Sequence, residues 1–227
     1  MLLILDPSLK FLTYELQRFN AEWEQEQALA DTATNDIRLF EEQMISSENL
    51  YEETSYATVE IPKEDFNHLE ATLYLACPDH LDTNCPEWDV AIYLFLCDDD
   101  DESSCSEEFG RWITPYSREG KWRTDLTPWL AWLTPDSQKR FHFYTGQQYV
   151  VTLDFHFSND SEQPRAFETL PLFTGNSFDA AYNDNYEGIE IQMPSNATRA
   201  EIVAWISGHG FGADTLNCAE FCDHQHY

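Results

Sequence analysis

Two short segments combine the residue types that acid–base chemistry needs. Cys85-Pro86-Glu87-Trp88-Asp89 sets two carboxylates around an indole beside a cysteine. Cys218-Ala219-Glu220-Phe221-Cys222 sets a carboxylate against a phenyl ring between two cysteines. A short disulfide loop fixes backbone direction, and a side chain held that way keeps one geometry toward a substrate. Brought together, Asp89 and Glu220 would form a carboxylate pair, one activating water while the other orients it or protonates a leaving group. Trp88 and Phe221 offer flat apolar faces suited to the C–H surface of a sugar ring. With 42 Asp and Glu in the chain, composition does not single out these two. The alternative is a pair of surface turns stapled for stability.

The stapling rests on six cysteines, which fall into close pairs: Cys77 with Cys85, Cys97 with Cys105, and Cys218 with Cys222. An even count in local pairs reads as disulfides closing loops, and that implies an oxidising compartment. Zinc held by Cys218, Cys222, His224 and His226 is the competing reading. Those four crowd into nine residues, whereas structural zinc sites bring two separated ligand pairs together. No export signal accompanies the cysteines. Met1 to Leu5 is apolar but too short for a signal core, and Asp6-Pro7 ends it. A secreted or periplasmic protein is expected, with its signal upstream of Met1 or already removed.

Charge narrows the partners. The balance of 42 Asp and Glu against 12 Lys and Arg gives −30, a surface that repels phosphate backbones and anionic lipid. Nucleic acid and membrane are therefore not expected as partners, and no stretch is long enough to span a bilayer. The charge serves solubility, and a polycation or metal-ion partner is the remaining reading. At 42% hydrophobic and 15% aromatic residues the chain can bury a core, and its aromatic types suit strands.

The elements that must position these residues are mostly strands. Residues 1–33 differ: Leu9, Leu12, Leu16, Phe19 and Trp23 recur at helical spacing after Asp6-Pro7, predicting an amphipathic helix. Thr34 to Thr54 reads as an acidic, irregular lead-in. Strands are then predicted at Ala57–Ile61, around Leu69–Leu75, at Val90–Leu96, Phe109–Thr114, Arg140–Tyr144 and Tyr149–Phe157. Val90–Leu96 is apolar on both sides, as a strand covered on both faces would be. Asp98–Glu108 is an acidic turn closed by Cys97 and Cys105. Asp98 to Asp101 lack the ligand spacing of a calcium loop, so a solvated hairpin tip is expected there. A polar stretch at Ser158–Arg165 marks a domain boundary, followed by strands near Phe167–Phe173, Gly188–Met193 and Ala200–Ser207. Many short strands with turn punctuation argue for β-sandwiches of jelly-roll type. Three or four strands after residue 165 are fewer than a sandwich needs, so an incomplete second domain is expected.

Four motifs in order carry a resemblance. Cys77-Pro78 with Cys85-Pro86-Glu87-Trp88-Asp89, Gly110-Arg111-Trp112-Ile113-Thr114-Pro115-Tyr116, Ile206-Ser207-Gly208-His209-Gly210, and Cys218-Ala219-Glu220-Phe221-Cys222 resemble the peptide-N-glycosidase F family over about residues 35–227. The resemblance implies an all-β fold of two adjacent jelly-roll-type antiparallel sandwiches, a pairing shared with copper-dependent peptidylglycine monooxygenases. With the helix added, the expected organisation is a helical extension over 1–33, a first sandwich over 34–160 and a partial second sandwich over 165–227. The family hydrolyses the amide joining asparagine to the first N-acetylglucosamine of an N-glycan, at the domain interface and without metal or cofactor. It implies Asp89 as principal catalytic acid, Glu220 as its assistant, and Trp88, Phe221, Glu87 and His209 as substrate-binding residues. The partner is an N-glycosylated peptide or protein, and a monomer is expected.

The departures are specific. Val90 follows Asp89 where the family has Arg, Phe221 and His209 stand where it has Trp, and no carboxylate occurs near Arg140–Gly146. His142 is the titratable residue there, and a partly buried strand histidine is the commoner role. The chain is expected to be inactive if it ends inside its second sandwich. Two other readings stay open: a non-catalytic glycan- or protein-binding double sandwich, and a copper-dependent oxidoreductase using His209, His224 and His226, which do not match the monooxygenase ligand sets.

Overall fold

The computed structural model describes residues 35–99, 101, 104–159, 164–172, 184 and 189–204. Eight strands follow in order: β1 Asn35–Ile45, β2 Tyr56–Glu60, β3 His68–Ala76, β4 Ala91–Cys97, β5 Cys105–Ile113, β6 Gly120–Asp125, β7 Gln138–Tyr144 and β8 Tyr149–Ser158. They form two four-stranded sheets, ordered β1-β8-β3-β6 and β2-β7-β4-β5. Every pairing is antiparallel. This alternation of strands between two sheets is the double Greek key of an eight-stranded jelly roll, as expected for the first sandwich.

Period-2 patterning explains the core. Leu69, Ala71, Leu73 and Leu75 of β3 lie opposite Phe157, Phe155, Leu153 and Val151 of β8, and all eight are buried. From the other sheet come Ile92, Leu94, Phe109, Phe141 and Phe143, each with no exposed surface. Phe155 is the meeting point, with Phe141 at 5.3 Å and Phe109 at 5.7 Å between ring centroids. Each such ring contributes about 1.5–3 kcal/mol on burial, so this interdigitation holds the two sheets face to face. An indole joins them at one corner: Trp112 Nε1 on β5 donates to Thr124 Oγ1 on β6 at 2.8 Å. Its ring lies over Gly110, two residues back on the same face, where a Cβ would collide with it.

Several expectations are corrected. Residues 35–45, read as part of an irregular lead-in, form edge strand β1 against β8. Register shifts between Arg38 and Phe40 and between Phe40 and Gln43 break its alternation, which hides a bulged strand from a period-2 search. Strand β6, Gly-Lys-Trp-Arg-Thr-Asp, carried no strand signal because it is a polar edge with one buried residue, Gly120. The acidic turn is shorter than Asp98–Glu108, since Cys97 and Cys105 are paired residues of β4 and β5 and the second strand starts at the disulfide. Strand β4 is not covered on both sides. Tyr93 and Phe95 point outward, half-buried, and stack on each other at 5.6 Å.

The strands expected near Phe167–Phe173, Gly188–Met193 and Ala200–Ser207 do not appear in their described parts, which pair with nothing in a ladder. Phe167, Ile191 and Ile202 stay exposed there. An alternating pattern specifies which face to bury, but it forms a strand only where another strand completes its hydrogen bonds. The helix expected over 1–33 and most of the second sandwich expected over 165–227 lie outside the described residues.

Candidate functional site

Strands β3 and β4 are joined by residues 77–90, and the Cys77–Cys85 disulfide closes the first part of that connection. Inside it the backbone turns sharply, with Asp79 and His80 at φ 58° and 54°. The Asn84 side chain ties the loop to itself by donating to the Pro78 carbonyl at 3.2 Å. What remains, Pro86 to Val90, must be held from outside.

The neighbouring β5–β6 connection, residues 114–119, holds it at both ends. At the entry, the Glu119 carboxylate accepts the Tyr74 hydroxyl at 2.5 Å and the Cys77 amide at 3.2 Å, and lies 3.2 Å from His80 Nδ1. At the exit, Thr114 Oγ1 accepts the Val90 amide at 2.9 Å and donates to the Trp88 carbonyl at 3.3 Å. The Thr114 amide returns a bond to the Val90 carbonyl at 3.0 Å. Between them, the Ser117 amide donates to the Pro86 carbonyl at 3.0 Å. Tyr149 supports the brace from the core, its hydroxyl 3.5 Å from the Pro115 carbonyl. Burial pushes that phenol above its ordinary range, and its bond with Thr114 pulls the other way.

On this frame Glu87 and Trp88 are exposed and Asp89 is half-buried. Trp88 leaves 61% of its surface open, and Tyr116 on the bracing loop leaves 48%. The arrangement provides a carboxylate on a fixed backbone beside an open indole, which can accept a proton or a hydrogen bond while an apolar ring packs alongside. Glu220, Phe221, His209 and the Cys218–Cys222 pair lie outside the described residues, as do His224 and His226. The meeting of Asp89 with Glu220 is thus not among the contacts described.

Other sequence candidates take structural places. His142 is buried, its Nε2 2.6 Å from the Leu50 carbonyl and its ring stacked on Tyr56 at 4.5 Å. Burial lowers its pKa, the Leu50 bond opposes this, and nearby Arg140 lowers it further. The second disulfide, Cys97–Cys105, sits at the far end of β4 from Asp89. The acidic hairpin it closes is anchored as well as solvated, because Lys139 grips Asp99 at 2.6 and 2.7 Å. Among the described residues, no group of three or more His, Cys, Asp or Glu is placed to hold a metal ion. Thr114 and Glu119 were missed as supports. Thr114 had a signal in its Gly110–Tyr116 motif, whereas Glu119 had none among so many acids.

Comparison with known proteins gives a distant likeness. No family model matches the chain, and no curated protein matches it. Among solved structures, PNGase F, a glycosylasparaginase from Flavobacterium meningosepticum, aligns over 58% of this chain and 44% of its own, at 16% identity and a TM-score of 0.41. PNGF-II aligns in two crystal forms over 56% and 57% of this chain and 35% and 34% of its own, at 10% and 12% identity and a TM-score of 0.42. The chain therefore spans less than half the length of the structures it matches. The fold assignment rests on the strand order described above.

Proposed function

We propose that the protein is a carbon–nitrogen hydrolase of the peptide-N-glycosidase type, acting on N-glycosylated peptides or proteins. Asp89 is its central acid, Glu220 assists, and Trp88, Phe221, Glu87 and His209 contact substrate. The observation that carries this reading is the braced 77–90 loop, which keeps Asp89 half-buried beside the open face of Trp88. Asp89 would hydrogen-bond the glycosylamide or take a proton from the attacking water, and Glu220 would orient that water. Water adds to the side-chain amide carbon and the C–N bond breaks, leaving aspartate on the peptide and the nitrogen on the anomeric carbon of the glycan as a glycosylamine. The two described disulfides are compatible with an extracellular location.

Glycan release from a denatured N-glycoprotein tests the reading. Release is expected from the wild-type protein carrying its complete second sandwich, with a loss of at least about 10³-fold in Asp89→Ala, comparable to removing a group that acts only in the transition state. Equal release by the two proteins ends the assignment. The exposed rings of Trp88 and Tyr116 also suit a second reading, a glycan-binding module without turnover. Retention of glycopeptide on the immobilised protein, with no glycan freed, selects that one.

A further inference from the structure

We propose that Thr114 is a positioning residue for Asp89, an inference that rests on the hydrolase reading. Three of its bonds fall on the residues flanking Asp89, one to the Trp88 carbonyl and two to the amide and carbonyl of Val90, besides the one it shares with Tyr149. A residue whose preceding and following peptide groups are both pinned cannot turn its Cα–Cβ direction without breaking a hydrogen bond. The backbone that carries Asp89, and with it the Cα–Cβ direction from which its carboxylate extends, is therefore set from the neighbouring loop. Thr114 is 1% exposed, so water does not readily replace its hydroxyl, and the Val90 amide would lose its side-chain acceptor. The buried Tyr149 beneath gives this contact a rigid floor.

Positioning and simple support make different predictions. A misplacement of about 1 Å costs on the order of 10²-fold in rate, while binding through the exposed Trp88 is little changed. Thr114→Val, which keeps the shape and removes the hydroxyl, should lower kcat for glycan release about 10- to 100-fold with KM within about twofold. Thr114→Ser, which keeps the hydroxyl, should recover most of the rate even if it melts earlier. Thr114→Ala serves as a second hydroxyl-free variant should the valine protein fold poorly. Rates that follow melting temperature across the three variants, or a full rate in Thr114→Val, overturn the proposal.

A second readout separates this inference from the activity itself. The Asp89 carboxyl carbon should give one sharp NMR resonance in the wild type and Thr114→Ser, and a broadened or split one in Thr114→Val. If no protein releases glycan, the hydrolase reading fails, and the resonance then decides positioning alone: an unchanged signal in Thr114→Val refutes it.

Discussion

Lys139 holds the carboxylate of Asp99 with bonds of 2.6 and 2.7 Å while only 6% of its own side chain is exposed, against 65% for its partner. The lysine sits on a β7 position whose neighbours in phase, Phe141 and Phe143, belong to the core. Its stem is packed there and its ammonium reaches out to the hairpin that Cys97 and Cys105 close. The pair is thus lopsided: one charge is desolvated and the other stands in water.

That imbalance predicts unequal mutants. Asp99→Asn leaves an ammonium in a buried place without its counter-charge and should cost about 2–4 kcal/mol, near the range for breaking a buried pair. Lys139→Met fills the same volume and frees an exposed carboxylate, and should stay within about 1 kcal/mol of wild type. Urea unfolding of both proteins checks this, and equal losses would argue against a desolvated lysine.

The Cys77–Cys85 disulfide bears on stability and on the site together. Replacing both cysteines by serine frees a loop of nine residues in the unfolded chain, a loss of roughly 2–3 kcal/mol on the chain-entropy model. The Glu119 bond to the Cys77 amide and the Thr114 bonds to Trp88 and Val90 remain available. The double variant is therefore expected to melt earlier yet keep measurable glycan release. Complete loss of release in a folded variant would mean that the disulfide, not the neighbouring loop, sets Asp89.

His142 predicts a pH dependence. Its folded pKa lies below the ordinary value near 6.5, chiefly through burial, so the unfolded chain binds the proton first as pH falls. The stability it provides is complete above about pH 6.5 and is lost as pH drops through the lower folded value. His142→Gln, neutral throughout, should trail the wild type clearly at pH 7.5 and by less at pH 5.5. A gap in urea midpoints that stays constant across that interval would rule out a buried neutral imidazole.

Much of this was written locally along the chain. Alternating Leu, Ala and Phe in β3 and β8 announced strands and the face each would bury, because side chains on a strand repeat every second residue. Close cysteine spacing announced the Cys77–Cys85 and Cys97–Cys105 loops, and ordered motifs drew attention to Asp89. Tertiary structure alone decided the rest. Strand β1 owes its existence to β8, since a bulged edge has no periodicity to read and is held by its partner's hydrogen bonds. The stretches near Gly188–Met193 and Ala200–Ser207 were also expected as strands, yet their described parts form none and pair with no strand among the described residues. The backbone on either side of Asp89 is pinned by Thr114, 25 positions away along the chain, through bonds between two loops that only the stacking of the sheets brings side by side.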